Sequence, residues 1–300
     1  MKATAQVLPQ AVIEEKGWVA VFLDLFKARL TLLVLITTLV GFYVGFQGPV
    51  DYLRMLHTIL GTALVASGAA ALNQLWERRF DARMRRTCGR PLPSGRLQPG
   101  TVLWLGTGMA VLGVVYLAWA VNVVTGLLGA VSLCSYLFLY TPLKRVTWWN
   151  TAVGAIPGAL PPLMGWTAAR GRLGAEGLAL FALQAFWQVP HFMAIAWMYR
   201  DEYARAGFKM LPVFDPGGHR TARQAVLHAM ALLPLGFAPY WLHIAGPIYL
   251  AGALLLGAGF LWTALRFARE LTEARARELF LASIIYLPLI LALMVVDKVK

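Results

Sequence analysis

"ILGTALVASGAAALNQLWERRFDARMRRTCGRPLPSG" runs from residue 59 to residue 95. Its first fourteen residues carry no charge. The remainder packs in Glu77, Asp81 and a crowd of arginines. An apolar helix that turns at once into dense charge is the profile of a segment leaving a bilayer core at the headgroups. The rest of the chain agrees. Its 300 residues are 59% hydrophobic and only 14% charged, with a mean hydropathy of +0.64, too apolar for an ordinary soluble domain. Uncharged runs of about 20 residues recur, the length that crosses a hydrocarbon core of ~30 Å. An open sheet could not satisfy its backbone in lipid. The expected fold is therefore all-α, a polytopic membrane protein built as a bundle of about nine transmembrane helices.

The nine expected spans are 24–47, 54–77, 101–121, 123–141, 149–169, 174–199, 221–243, 247–268 and 278–297. They form a single transmembrane domain over residues 1–300, with residues 1–20 as a polar cytoplasmic tail that lacks the apolar core of a signal peptide. Kinks are expected where Pro and Gly interrupt a span, as in "IPGALPPLMG". With this span count, 22 of the 27 Lys and Arg fall on the side of the N-terminus. That asymmetry puts the N-terminus and the basic loops in the cytoplasm and the C-terminus outside the cell inner (cytoplasmic) membrane. The net charge of +13 is explained by the same bias, so the lipid bilayer, and no nucleic acid, is the expected partner surface. Cys88 and Cys134 match no metal-ligand spacing.

Asn73, Glu77 and Asp81 are spaced i, i+4, i+8. On a helix they fall within ~80° of one another over ~12 Å of rise. Carboxylates at the membrane boundary are costly and lean functional. A second acidic segment, "YRDEYARAGFKMLP" (199–212), closes the sixth span with Asp201 and Glu202 between Tyr199 and Tyr203. If the two segments face each other, something cationic belongs between them. Oxygen-only ligands select a hard cation such as Mg²⁺, which bridges carboxylates to phosphates. The competing explanation is solvated charge at helix ends. Arg86 and Arg90 flank a turn punctuated by Gly89, Pro91, Pro93 and Gly95, which holds them more firmly than a loose basic loop would. Guanidinium groups grip phosphate oxygens bidentately. Metal-binding carboxylates and fixed arginines above an apolar bundle describe a site for a diphosphate head on a lipid tail.

"NxxxExxxDxxMxRTxxRPLPSG" at 73–95 resembles the first signature of the UbiA-type intramembrane prenyltransferases, and within them the branch that farnesylates protohaem IX. Four further stretches resemble the same branch: "LFKARLTLLVLITTLVG" (25–41), "YTPLKRVTWWNTAVGAIPGALPPLMGW" (140–166), "FWQVPHFMAIAW" (186–197) and "DEYARAGFKMLPV" (201–213). Glu77, "RTxxRPL" and "AGxxMLP" separate it from the alternative, a UbiA-type enzyme acting on a quinone precursor or a chlorin. Ala28 stands where the family usually has Pro, and Ala155 where a second Gly is common.

The resemblance implies a UbiA-like fold and transfer of farnesyl from farnesyl diphosphate to a vinyl group of haem B, with haem B as substrate rather than permanent cofactor. It implies Mg²⁺ held by Asn73, Glu77, Asp81 and Asp201, with Glu202 as a further candidate. Lys27, Arg29, Arg86, Arg90, Lys144 and Arg145 are implied to grip the diphosphate, although topology alone competes as the explanation of Lys27 and Arg29. Haem A synthase and cytochrome oxidase assembly factors are the protein partners it suggests. His191 lies in the "PHF" signature, about ten residues or ~15 Å along the helix from Asp201. It is a candidate for engaging the haem iron, the alternative being a structural histidine bonded to a neighbouring helix. His228 is the second candidate. Tyr199 and Tyr203 are expected at the substrate because they bracket the acidic pair. A transporter would place its polar groups at the bilayer midplane; here they gather at one face.

Overall fold

The computed structural model describes residues 17–299. Most of the expected tail lies outside the described residues. Its end does not: the apolar "WVAVFLDL" forms a short helix, α1 (Trp18–Leu25). The remaining α-helices are α2 (Ala28–Gly45), α3 (Tyr52–Asp81), α4 (Pro99–Ala120), α5 (Val123–Cys134), α6 (Thr141–Leu143), α7 (Asn150–Arg170), α8 (Ala175–Met198), α9 (Arg200–Ala206), α10 (His219–Trp241), α11 (Pro247–Glu270) and α12 (Glu273–Val296). A π-helical stretch, Ser135–Tyr140, joins α5 to α6, making one continuous rod. Among the described residues there are no strands, only an isolated bridge between Ala245 and Lys298. Seven of the long helices are apolar enough, by length and composition, to cross a membrane. The other two, α7 and α10, are less hydropathic, and α7 is the most buried, with Pro157, Pro161 and Pro162 inside it.

Each long helix packs on the next in sequence, and α2 also packs along α7. Small residues let the backbones approach. A Cβ on Gly68 would meet the Ala110 amide, and one on Gly113 would meet the Val65 amide, so α3 and α4 lie against each other with almost nothing between them. Gly41 and Gly165 do the same for α2 and α7, where a Cβ would run into the Pro162 and Thr38 carbonyls. The largest apolar core sits between α8, α10, α11 and α12. α12 returns to α2 and closes the ring. Lys298 Nζ fastens this seam by donating to the Tyr43 and Phe46 carbonyls at the C-terminal end of α2, at 2.7 and 2.6 Å.

The opposite end of the ring carries the polar assembly. α3 is the longest helix and overshoots its apolar stretch by two turns, so Asn73, Glu77 and Asp81 rise at that end, facing inward. α1 is tied across it by Gln74, whose Nε2 donates to the Asp24 and Leu25 carbonyls, both at 2.8 Å. The loop 82–98, the turn 144–149 and the segment 199–218 complete this end.

Candidate active site

The three polar residues of α3 are buried, Glu77 at 5% exposure and Asp81 at 2%. Each faces a cation from a different part of the chain. Lys27 Nζ donates to Asn73 Oδ1 at 2.8 Å. Lys144 Nζ donates to Glu77 Oε1 at 2.9 Å. Arg90 Nη1 donates to Asp81 Oδ2 at 2.7 Å. The i, i+4, i+8 spacing read from sequence is thus a real stripe, and its acceptors meet positive charge at every turn.

Local structure explains how those cations arrive. Lys27 sits between α1 and α2 with φ +48°, a left-handed conformation that a non-glycine residue adopts at a cost of about 1–2 kcal/mol. Ala28 starts α2 directly behind it. Arg90 is held by the turn that follows α3. Thr87 Oγ1 donates to the Asp81 carbonyl and Ser94 Oγ to the Arg90 carbonyl, at 2.8 and 2.7 Å. Lys144 follows the π turn and α6, and its carbonyl accepts from Lys209 N at 2.6 Å. Buried Asn150 donates to the Lys209 carbonyl at 2.9 Å, joining the two loops.

The electrostatics are one-sided. Two carboxylates face Lys27, Lys144 and Arg90. Burial pulls the Lys27 ammonium down to about 7, with the charges of Arg90 and Lys144 adding to the effect and Glu77 and Asp81 opposing it. Burial acts the same way on Lys144. There the Glu77 carboxylate, with Tyr140 and Tyr136, more than reverses it and holds that ammonium above the ordinary lysine range.

Arg86 comes to the second segment, a pairing the sequence did not suggest. Its guanidinium lies 5.1 Å from the Tyr199 ring and 5.8 Å from the Tyr203 ring, and Nη2 donates to Tyr203 Oη at 3.1 Å. Tyr203 also packs on Phe208, which packs on Phe80 of α3. Glu202 is half-buried, and its Oε2 is shielded from solvent with no hydrogen-bond partner.

Other candidates are not gathered. Asp201 has a side chain 88% exposed and lies 3.8 Å from Arg200. Arg29 is exposed on the first turn of α2. Arg145 lies not at the carboxylates but 4.9 Å from the Phe80 ring. His191 faces α12. Its Nδ1 is 2.7 Å from Ser283 Oγ, and its ring stacks on Trp187 and Phe280 at centroid distances of 5.2 and 5.1 Å. His228 is bonded to the Gln224 carbonyl of its own helix. The reason in each case is helix rotation, which a distance along the axis does not record.

Two residues of the site escape sequence reading. Tyr136 Oη accepts from Lys27 Nζ at 3.3 Å, and Lys144 Nζ lies 4.5 Å over the Tyr140 ring. Their signal was the i, i+4 tyrosine pair just ahead of "TPLKR", which reads equally well as an interface belt. Gln74 is a third, legible only as an amide beside Asn73.

The donors of the stripe suit a hard divalent cation. All are oxygens, buried on one face, at positions where the protein already holds positive charge. Among the described residues no three His, Cys, Asp or Glu side chains cluster closely enough to form an all-protein metal cage.

The sequence profile described as the UbiA prenyltransferase family matches residues 34–287. The chain is 50% identical over 286 residues to the protohaem IX farnesyltransferase of Solibacter usitatus, spanning 92% of this chain and 98% of that one. Among solved structures, one concerning digeranylgeranylglyceryl phosphate synthase superposes with a TM-score of 0.78 at 17% identity, over 93% of this chain and 98% of the other. A UbiA homologue from Archaeoglobus fulgidus bound to GPP and Mg²⁺ superposes with a TM-score of 0.66, also at 17% identity, over 91% and 99%. At such identities the structural likeness is one of fold.

Proposed function

The chain belongs to the UbiA prenyltransferase family, and from that premise we infer that it transfers farnesyl from farnesyl diphosphate to a vinyl group of haem B, giving haem O and diphosphate. The observation that carries this reading is the 50% identity, over nearly the whole of both chains, to a protohaem IX farnesyltransferase. The buried stripe of Asn73, Glu77 and Asp81, each facing a cation, supports it.

In the reaction the allylic C–O bond breaks and its electron pair leaves with the diphosphate. The vinyl carbon bonds to farnesyl C1, and the cation left beside the porphyrin takes up water and loses a proton. Arg90, Arg86, Lys27 and Lys144 bind the diphosphate oxygens and stabilise the charge that develops there. Glu77 holds Lys144, Asp81 holds Arg90 and Asn73 holds Lys27 in place before substrate arrives, so little reorganisation of these three is needed at the moment of bond cleavage. Asn73, Glu77 and Asp81 would hold Mg²⁺, which when bound supplies further charge neutralisation to the leaving diphosphate. Tyr203 orients Arg86 through its hydroxyl, and the unpartnered Glu202 oxygen offers an acceptor at the same end. Asp201 and Arg29 have no part in this arrangement.

The prenyl chain lies among the apolar side chains of the bundle, away from solvent that would quench an allylic cation. His191 presents Nε2 to the porphyrin iron. Its Nδ1 is engaged by Ser283, and a second partner on the other ring nitrogen is how a ligating imidazole is usually oriented. As a multi-pass membrane protein, the chain turns its basic end to the cytoplasm and its Lys298 seam to the outer side of the cell inner membrane. The decisive experiment is pigment extraction from cells expressing the chain, followed by mass analysis. A haem heavier than haem B by one farnesyl group and one hydroxyl group is the expected product. Haem B alone, from cells containing folded protein and farnesyl diphosphate, overturns the reading.

A further inference from the structure

The outer face of the α3 end holds a cavity the reaction does not use. It encloses about 270 Å³ and is lined by Trp76, Arg78, Arg79, Phe80 and Arg145. Lys144 and Arg145 are adjacent in sequence but reach different residues of α3, Lys144 the Glu77 carboxylate and Arg145 the Phe80 ring one turn further on. None of the three arginines has a carboxylate within ion-pair distance among the described residues, in contrast to Arg90 and Lys144. Arg78 is bonded only to the Leu75 carbonyl, at 3.1 Å. Three guanidinium groups thus share one concavity with no carboxylate paired to them among the described residues, an arrangement that attracts an anion.

The walls say which anion. Trp76 is exposed and meets Phe138 edge-on at 5.7 Å, and Phe138 is more exposed still. Phe138 and its neighbour Leu139 belong to the α5–π–α6 rod, one of the helices apolar enough to span a membrane. Below the arginines, therefore, lies an aromatic and aliphatic face turned outward. A free phosphate has no use for that wall, whereas a lipid tail does, and Trp at headgroup level is the ordinary anchor of such a boundary. We propose that this cavity binds the phosphate headgroup of an anionic membrane lipid, its acyl chain lying along Trp76 and Phe138. The site is separate from the inward stripe and independent of the transferase reading.

The test is native mass spectrometry of the full chain in detergent, titrated separately with phosphatidylglycerol, phosphatidylcholine and inorganic diphosphate. Phosphatidylglycerol is expected to bind in preference to phosphatidylcholine. Arg78→Gln with Arg79→Gln should weaken it by about 30-fold, the product of two basic contacts at a membrane surface. Arg79→Lys, which keeps the charge, should lose only a few-fold and covers the case in which the double variant does not fold. Equal binding of the two lipids, or an unchanged affinity in the variants, overturns the proposal. So does displacement of phosphatidylglycerol by diphosphate, which would make the cavity part of the substrate's path.

Discussion

Residues 73–81 and 199–206 use nearly the same alphabet. Both follow an apolar helix, both mix carboxylates with arginines, and both lie at the basic end of the bundle. The first is one uninterrupted helix, so its polar residues stack on a single inward stripe. In the second the helix breaks at Tyr199, and the following turn swings Asp201 into solvent while Tyr203 packs inward on Phe208. The result is that one segment contributes two buried carboxylates and the other contributes aromatic rings to Arg86. Residue type is shared; depth and helical phase divide the labour.

The comparison breaks most visibly at Asp81. Asp81→Asn removes the negative charge that faces Arg90 and one of the two carboxylates of the stripe. Haem O formation in membranes should fall by about 10³-fold, the scale of losing one preorganised electrostatic element, while the variant still elutes as a folded protein. Stripping divalent ions with EDTA should have a comparable effect, restored by Mg²⁺. Asp201→Asn is the matched substitution in the other segment, and a loss beyond about threefold there would erase the distinction drawn here.

Arg90→Lys keeps charge beside Asp81 but gives up the planar fork. A fall in kcat/KM for farnesyl diphosphate of about 10- to 100-fold is expected from steady-state assays. His191→Ala should abolish haem turnover yet leave Mg²⁺-dependent binding of farnesyl diphosphate intact, with a changed absorption spectrum of bound haem. Ser283→Ala should shift that spectrum less, since it frees the ring without removing it. A parent spectrum in both variants would make His191 a packing residue between α8 and α12. The smallest effect belongs to Tyr203→Phe, which leaves the ring under Arg86 and deletes one hydrogen bond. KM for farnesyl diphosphate should rise a few-fold, about 1 kcal/mol, with kcat nearly unchanged.

The spans were legible because apolar runs of bilayer length leave a helical bundle as the only solution, and every long helix falls within a few residues of its expected position. The stripe was legible because i, i+4, i+8 geometry is local. What sequence could not supply was rotation and pairing at long range. Lys27 meets Asn73 across 46 positions and Lys144 meets Glu77 across 67. Neither partner could be chosen among 27 basic residues without the fold. The exposure of Asp201 was not legible either, because it depends on a helix break two residues earlier. The π turn at Ser135–Tyr140 brings Tyr136 and Tyr140 to the two lysines, and Pro142 just behind it, which cannot bond back to the Phe138 carbonyl, was its one local signal.

The Lys298 seam sets a timetable for assembly. Its ammonium meets carbonyls that are 255 and 252 residues earlier in the chain. At ribosomal rates of roughly 5–20 residues per second, α2 waits on the order of tens of seconds with its last carbonyls uncovered. Until α12 inserts and Lys298 is made, the ring is open along one side to lipid. The bundle interior, where an allylic cation must be kept from water, is thus enclosed only once α12 has been made, and a ribosome stalled before residue 298 leaves a gap between α2 and α12.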